Sequence, residues 1–326
     1  MKALITGGAG FIGSQLVEFH LNRGDEVLVL DDLSTGKLAN VAGFRKNRHF
    51  RFEKCNLLTC SGLGDWIRWA DRIYHMAAVV GMIRVLQEPV KVTGVNVVGT
   101  ERLLQAVVEA GVRPHILVAS SSSVYGHTHH CDLHEDMELV VSPGKAGLTG
   151  YAVSKLINEI QAKAYHETHG LPIAVARLFN AVGPRQSGTY GFVLPRFIHQ
   201  AAAGEDLTVF GDGTQTRSFC DVRDTVRAMD LLMKTPLAWG RPVNVGNTCE
   251  ISILELAKLV LQKSGSTSGI AFVPFETGYG QTFQQITQRH PITKTLKTLT
   301  GFEPAWTLEA TIDDLLRDMQ PTRKAR

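Results

Sequence analysis

The chain has 326 residues, of which 44% are hydrophobic and 20% charged, with a net charge of +3. That length exceeds most single cores and predicts two domains, or one large domain with a lobe attached. Lysines and arginines are scattered rather than gathered in runs, which argues against a nucleic-acid surface, and no apolar run reaches the length of a membrane span or a signal-peptide core. The five cysteines (Cys55, Cys60, Cys131, Cys220 and Cys249) form no CxxC pair, so reduced thiols in a cytoplasmic protein are expected.

In chain order, residues 2–6 read as an apolar strand, 12–22 as a helix and 26–30 as a second apolar strand that closes on Asp31 and Asp32. Strands this apolar belong to a parallel sheet covered on both faces. Further strands are predicted over 49–53, 72–75, 115–119 and 173–178, with helices over 62–70, 96–109 and 151–168 between them. This alternation predicts an α/β fold, a Rossmann-type doubly wound parallel sheet. After residue 179 glycine and proline cluster at Gly183, Pro184, Gly188, Gly191 and Pro195, and short mixed elements follow. The expected division is a dinucleotide-binding domain over 1–178, joined by part of 221–247, a smaller C-terminal domain over 179–320, and a flexible basic tail over 321–326.

The first turn reads Thr6-Gly7-Gly8-Ala9-Gly10-Phe11-Ile12-Gly13. Set between a strand and a helix, Gly7, Gly10 and Gly13 allow a tight turn, a close approach of backbone to a pyrophosphate, and close helix–strand packing. The helix N-terminus offers free N–H groups to the phosphates. Asp31 ends the second strand, where a carboxylate accepts ribose hydroxyls and repels a 2′-phosphate, so NAD is expected over NADP.

Tyr151 and Lys155 stand at i and i+4 and so share one helix face. Upstream, the strand over 115–119 runs into Ser120-Ser121-Ser122-Ser123-Val124-Tyr125-Gly126, and strand C-termini are where ligands sit in such sheets. A phenol with an ordinary pKa near ~10 is a poor base at neutral pH; a lysine ammonium one turn away, together with the positive nicotinamide ring, is expected to lower it. A serine hydroxyl opposite would share the substrate proton.

Through these motifs, and through Asp31-Asp32-Leu33-Ser34-Thr35-Gly36, His75-Met76-Ala77-Ala78, Asn96-Val97-Val98-Gly99-Thr100, Arg177-Leu178-Phe179-Asn180, Gly183-Pro184-Arg185 and residues 210–219, the sequence resembles the extended short-chain dehydrogenase/reductases, specifically the NAD-dependent nucleotide-sugar epimerases and dehydratases such as UDP-glucose 4-epimerases. The resemblance implies a catalytic trio of Ser121, Tyr151 and Lys155. It implies cofactor contacts from Phe11 and Ile12 beside the pyrophosphate, from Asp31, Asp32, Ser34, Thr35 and Gly36 at the adenosine, from Asn56 and Leu57 at the adenine, and from Ala77, Ala78 and Asn96, with Tyr151 and Lys155 at the nicotinamide end. Asn56 stands where relatives usually carry an Asp. On the substrate side it implies Ser122, Asn180, Phe210, Arg217 and Arg289, with Phe210 at the uracil and the two arginines at the diphosphate. Ser142, Leu148 and residues 185–191 are further candidates for the sugar pocket.

Family dehydratases carry Asp-Glu before the Val-Tyr-Gly motif and decarboxylases Ser-Glu; this chain has Ser122-Ser123. The resemblance therefore implies 4-epimerisation of a UDP-sugar, of the UDP-glucose, UDP-N-acetylglucosamine or UDP-uronate type, through a 4-keto intermediate. The alternatives are a UDP-glucuronate decarboxylase, a 4,6-dehydratase, or more remotely a regulator that binds NAD without chemistry. A homodimer formed by the helices over 96–109 and 151–168 is implied as well. No metal is expected, since the histidines and Cys131 of the 127–134 loop match no tetrahedral zinc spacing. His75 is expected to be structural, Asp221 a helix cap and Asp224 a surface charge.

Overall fold

The computed structural model describes the chain except residues 127, 129, 142–145, 189–191, 276, 278–286 and 320–326, and except the side chains of residues 82 and 146–148. The chain begins β1 (Lys2–Thr6), α1 (Phe11–Asn22), β2 (Glu26–Asp31), α2 (Ala39–Ala42), β3 (Phe50–Lys54), α3 (Leu63–Trp69) and β4 (Arg72–His75). It continues through α4 (Met82–Gln87), α5 (Pro89–Ala110), β5 (His115–Ser121), β6 (Asp132–Leu133), α6 (Ala146–His169) and β7 (Ile173–Leu178). The second half holds β8 (Ala181–Val182), α7 (Val193–Ala203), β9 (Leu207–Phe210), β10 (Thr216–Ser218), β11 (Cys220–Asp221), α8 (Val222–Met233) and β12 (Pro242–Val245). After them come β13 (Glu250–Ser252), α9 (Ile253–Ser264), β14 (Ile270–Val273), β15 (His290–Pro291), and helices Lys294–Thr300 and Leu308–Met319.

Seven strands form the central sheet in the order β12-β7-β5-β4-β1-β2-β3, each pair parallel. The chain winds outward from β1 to β3, then restarts on the other side at β4. The crevice between β1 and β4 is thus the topological switch point, where such sheets bind ligands. The sheet is packed on both faces: Leu16, Val17, Met229 and Leu232 lie in the core on one side, Ile67, Leu103, Leu104 and Ala162 on the other. This two-sided burial is why its strands carry apolar residues without alternation.

A separate core of Leu194, Phe197, Leu207, Val209, Leu256, Val260 and Ile312 gathers the later elements. β12 lies at the edge of the central sheet, so this part of the second half returns to it. The helix read from the sequence over 96–109 begins earlier, at Pro89, where a proline suits the first helical turn. Among the described residues no helix is long and apolar enough to cross a membrane.

Candidate active site

A cavity of about 640 Å³ opens at the switch point and runs from the β2 end to the second-half core, within the size range of small-molecule sites. Its first wall is the glycine turn. Gly10 caps α1 with no side chain in the way, and Phe11 and Ile12 line the cavity, so the first-turn N–H groups face it. A Cβ on Gly13 would lie 2.2 Å from the Gly7 carbonyl oxygen, and one on Gly7 2.7 Å from the Ala77 nitrogen. Only glycine permits the turn to fold this tightly against α1 and the end of β4.

The Asp31 carboxylate accepts the N–H of Ala9 at 2.9 Å and of Leu33 at 2.8 Å. It thereby ties the glycine turn to the loop after β2. Burial raises its pKa, and those two N–H groups oppose the rise. Asp32, Ser34, Thr35, Asn56, Leu57, Ala77 and Ala78 line the same end. A glycine-built turn, a helix N-terminus and an acid at the β2 end fit a dinucleotide. Two residues of the expected cofactor set stand behind the wall rather than in it. Asn96 is not in the cavity wall: it is buried, and its amide binds Val79, a wall residue, and Ser154. It supports the wall without touching the space. Gly36 also acts indirectly, since a Cβ there would lie 2.8 Å from both Asp31 oxygens.

At the other end the β5 terminus meets α6. Ser121, Ser122, Ser123, Tyr151 and Lys155 all line the cavity. The Ser121 hydroxyl stands close enough to the Tyr151 phenol to oppose a rise in its pKa, and it accepts the N–H of Ser123 at 3.1 Å. Tyr151 is half-buried in that wall, and its dehydration raises its pKa against the effect of Ser121. In the chain itself, dehydration of the phenol outweighs the effect of the Ser121 hydroxyl. Lys155 donates to the Ala119 carbonyl at 2.8 Å, and burial pulls its pKa down to about 8. His75 bridges Thr6 and Thr100 at 2.8 and 3.0 Å; burial, then Lys155, lowers it to about 3, so it is a neutral structural group.

Asn180, Phe210, Arg217 and Arg289 line the second-half wall together. Asn180 is held at φ +34 and donates to the Ser218 carbonyl at 2.9 Å. Burial, with Arg217 as a like-charged neighbour, draws Arg289 down to about 10. Two guanidiniums this close favour an anion between them. Among the described lining residues the only carboxylates are Asp31 and Asp32, at the opposite end.

The sequence reading missed Phe275, whose ring lies 6.3 Å from Phe210, and Arg196, whose guanidinium stacks 4.8 Å over Phe210. Neither sits in a motif; only the pairing of β9 with β14 brings Phe275 near. Asp224 is not a surface charge either. It is buried and accepts the N–H groups of Ala305 and Trp306, both at 2.9 Å, while Asp221 does cap α8. Ser142, the side chain of Leu148, His127, His129, residues 189–191 and the 321–326 tail lie outside the described residues.

A family model described as the NAD dependent epimerase/dehydratase family matches residues 3–246. The chain is 34% identical over 304 residues, 93% of its length, to a UDP-N-acetyl-alpha-D-glucosaminuronate decarboxylase of Bacillus cytotoxicus, covering 92% of that relative. It is 35% identical over 309 residues, 94% of its length, to UDP-glucuronic acid decarboxylase 1 of Danio rerio, covering 70% of it. Among solved structures, UDP-glucuronic acid 4-epimerase from Bacillus cereus, in complex with UDP-glucuronic acid and NAD, superposes with a TM-score of 0.86. Identity is 28%, over 98% of this chain and 99% of the other.

Proposed function

This chain belongs to the NAD dependent epimerase/dehydratase family, and on that premise we propose that it catalyses 4-epimerisation of a UDP-sugar through a 4-keto intermediate. NAD, when bound, supplies the hydride acceptor and donor. The glycine turn and Asp31 hold the dinucleotide, and Ser121, Tyr151 and Lys155 stand at its reactive end. Tyr151 takes the C4 hydroxyl proton, Ser121 orients that hydroxyl, and the Lys155 ammonium stabilises the phenolate. Arg217, Arg289 and Asn180 hold the diphosphate, and Phe210 with Phe275 the base, while the sugar turns over. The cofactor lobe spans 1–178 with part of 221–247, and the substrate lobe 179–320.

One observation carries this reading. The wall beside Tyr151 is built from the hydroxyls of Ser121, Ser122 and Ser123, and among the described lining residues no carboxylate is near it. An elimination of water from the sugar needs a second acid or base, so a 4,6-dehydratase is disfavoured. A regulator without chemistry would not need Ser121, Tyr151 and Lys155 gathered at one cavity end.

Decarboxylation of a UDP-uronate is the second reading, and the relatives weigh toward it. Both named above are decarboxylases, at 34% and 35% identity against 28% for the epimerase structure. The two reactions share their first half. Oxidation at C4 of a uronate gives a β-keto acid, which loses carbon dioxide unless the site retains it. UDP-glucuronate labelled at its carboxyl carbon separates the readings: label kept in a C4 epimer supports epimerisation, and label released as carbon dioxide establishes decarboxylation.

A further inference from the structure

Lys155 is not alone on its helix face. One turn further along α6 stands Glu159, buried to 6% exposure. Its Oε1 accepts the Ser120 hydroxyl at 2.5 Å and the Arg177 Nε at 2.9 Å, and its Oε2 accepts Arg177 Nη2 at 2.8 Å. Ser120 lies between Ala119, whose carbonyl holds Lys155, and Ser121. In the sheet Ser120 is the direct neighbour of Arg177. Arg177 also donates to the Tyr125 hydroxyl at 3.0 Å and stacks on that ring, and Tyr125 donates to Asn244 at 2.7 Å. Glu135 closes the chain of contacts by accepting the Asn244 N–H at 2.8 Å.

We propose that Glu159, held in a two-pronged grip by Arg177, is a positioning residue that fastens the end of β5 to α6 and keeps the Lys155 ammonium charged. Arg177 pairs directly with Glu159, while Lys155 stands one helical turn from it with its Nζ on the Ala119 carbonyl. Glu159 favours the charged form of Lys155, and Arg177, paired with the same carboxylate, is expected to offset part of that attraction. The other titratable groups around them are Tyr151 on α6, His75 on β4, Tyr125 after β5, and Glu135. His75 is neutral, with its pKa near 3, and burial raises both tyrosines. Glu159 is the carboxylate whose charge favours the Lys155 ammonium. Its effect opposes burial, which has already brought that group down to about 8.

The inference rests on the proposed role of Lys155, but its test does not need a substrate. The full chain with NAD added, labelled on lysine side chains, is titrated by NMR, and the Lys155 resonance is identified by its loss in Lys155→Met. Glu159→Gln keeps the shape and the Ser120 contact but removes the charge, and is expected to lower the Lys155 midpoint by about one to two pH units. Arg177→Met leaves Glu159 unshared and is expected to raise it. Glu159→Asp keeps the charge and is expected to restore a midpoint near that of the parent chain. A merely structural role would not move the two charge variants in opposite directions. Unchanged midpoints, or shifts of the same sign, overturn the proposal. If Glu159→Gln does not fold, Arg177→Met decides alone, and a midpoint that fails to rise overturns it. Shifts as expected in a protein that turns over no UDP-sugar would leave this inference standing and remove the proposed function.

Discussion

The Lys155 ammonium donates to the Ala119 carbonyl at 2.8 Å, two residues before Ser121 on the same strand. This bond joins α6, with Tyr151, to β5, with Ser121, at one end of the cavity. The proposed base and its hydroxyl partner are held by the main chain before any ligand is considered, which is the preorganisation that acid–base chemistry requires.

Removing the phenol oxygen tests the base directly. Tyr151→Phe is expected to lower kcat by about 10²–10⁴-fold, the usual worth of a positioned acid–base group, while UDP-sugar affinity changes little because Arg217 and Arg289 are untouched. Steady-state kinetics with calorimetric UDP binding check both halves. A nearly active variant would exclude Tyr151 as base.

The pH dependence follows from Lys155. Burial depresses its pKa to about 8, so kcat is expected to fall as pH rises through about 8 and the ammonium is lost. Stability moves the other way. Below about 8 the group is charged in the folded and unfolded chain alike. Between there and its ordinary value the unfolded chain binds the extra proton, so this contribution to stability grows with pH. Across that window the parent's kcat should fall while its Tm gains relative to Lys155→Met; a Tm difference that does not change with pH would contradict this.

Gly13→Ala places a methyl group 2.2 Å from the Gly7 oxygen and 2.8 Å from the Gly8 Cα. Backbone cannot yield as a side-chain tip does, so about 1–3 kcal/mol of destabilisation or more is expected, along with loss of NAD binding. Thermal melting with and without NAD reads this, and an NAD-dependent rise in Tm equal to that of the parent would contradict it.

Arg289→Met separates binding from folding. Arg289 is dehydrated beside the like-charged Arg217, so the variant is expected to melt no lower than the parent. UDP affinity is expected to drop by about 10–100-fold, the worth of a charged hydrogen bond. Unchanged UDP affinity would remove Arg289 from the diphosphate site.

The parts legible in the sequence are those made by neighbours in the chain. The Gly7–Gly13 turn, Asp31 at the end of β2 and the Tyr151/Lys155 spacing are local, and residues of each line the cavity. What escaped depends on packing between distant segments. Arg177 reaches Glu159 because β7 lies beside β5 in one register. Phe275 reaches Phe210 because β14 pairs with β9. The early turns of α5 were hidden by Val90, an apolar residue 84% exposed, which breaks the one-sided pattern that marks a helix in sequence. Asp224 read as a surface charge because nothing near it in sequence announces the Ala305 and Trp306 N–H groups that it binds.

The most direct test of the central claim is to incubate the purified chain, with NAD and no other oxidant or reductant, with UDP-glucose, UDP-N-acetylglucosamine and UDP-glucuronate, following products by NMR and the cofactor by absorbance. Epimerisation predicts the C4 epimer of at least one sugar, reached from either side, with only transient reduction of NAD. Release of carbon dioxide with a UDP-pentose, a 6-deoxy-4-keto product, or steady accumulation of NADH would contradict it.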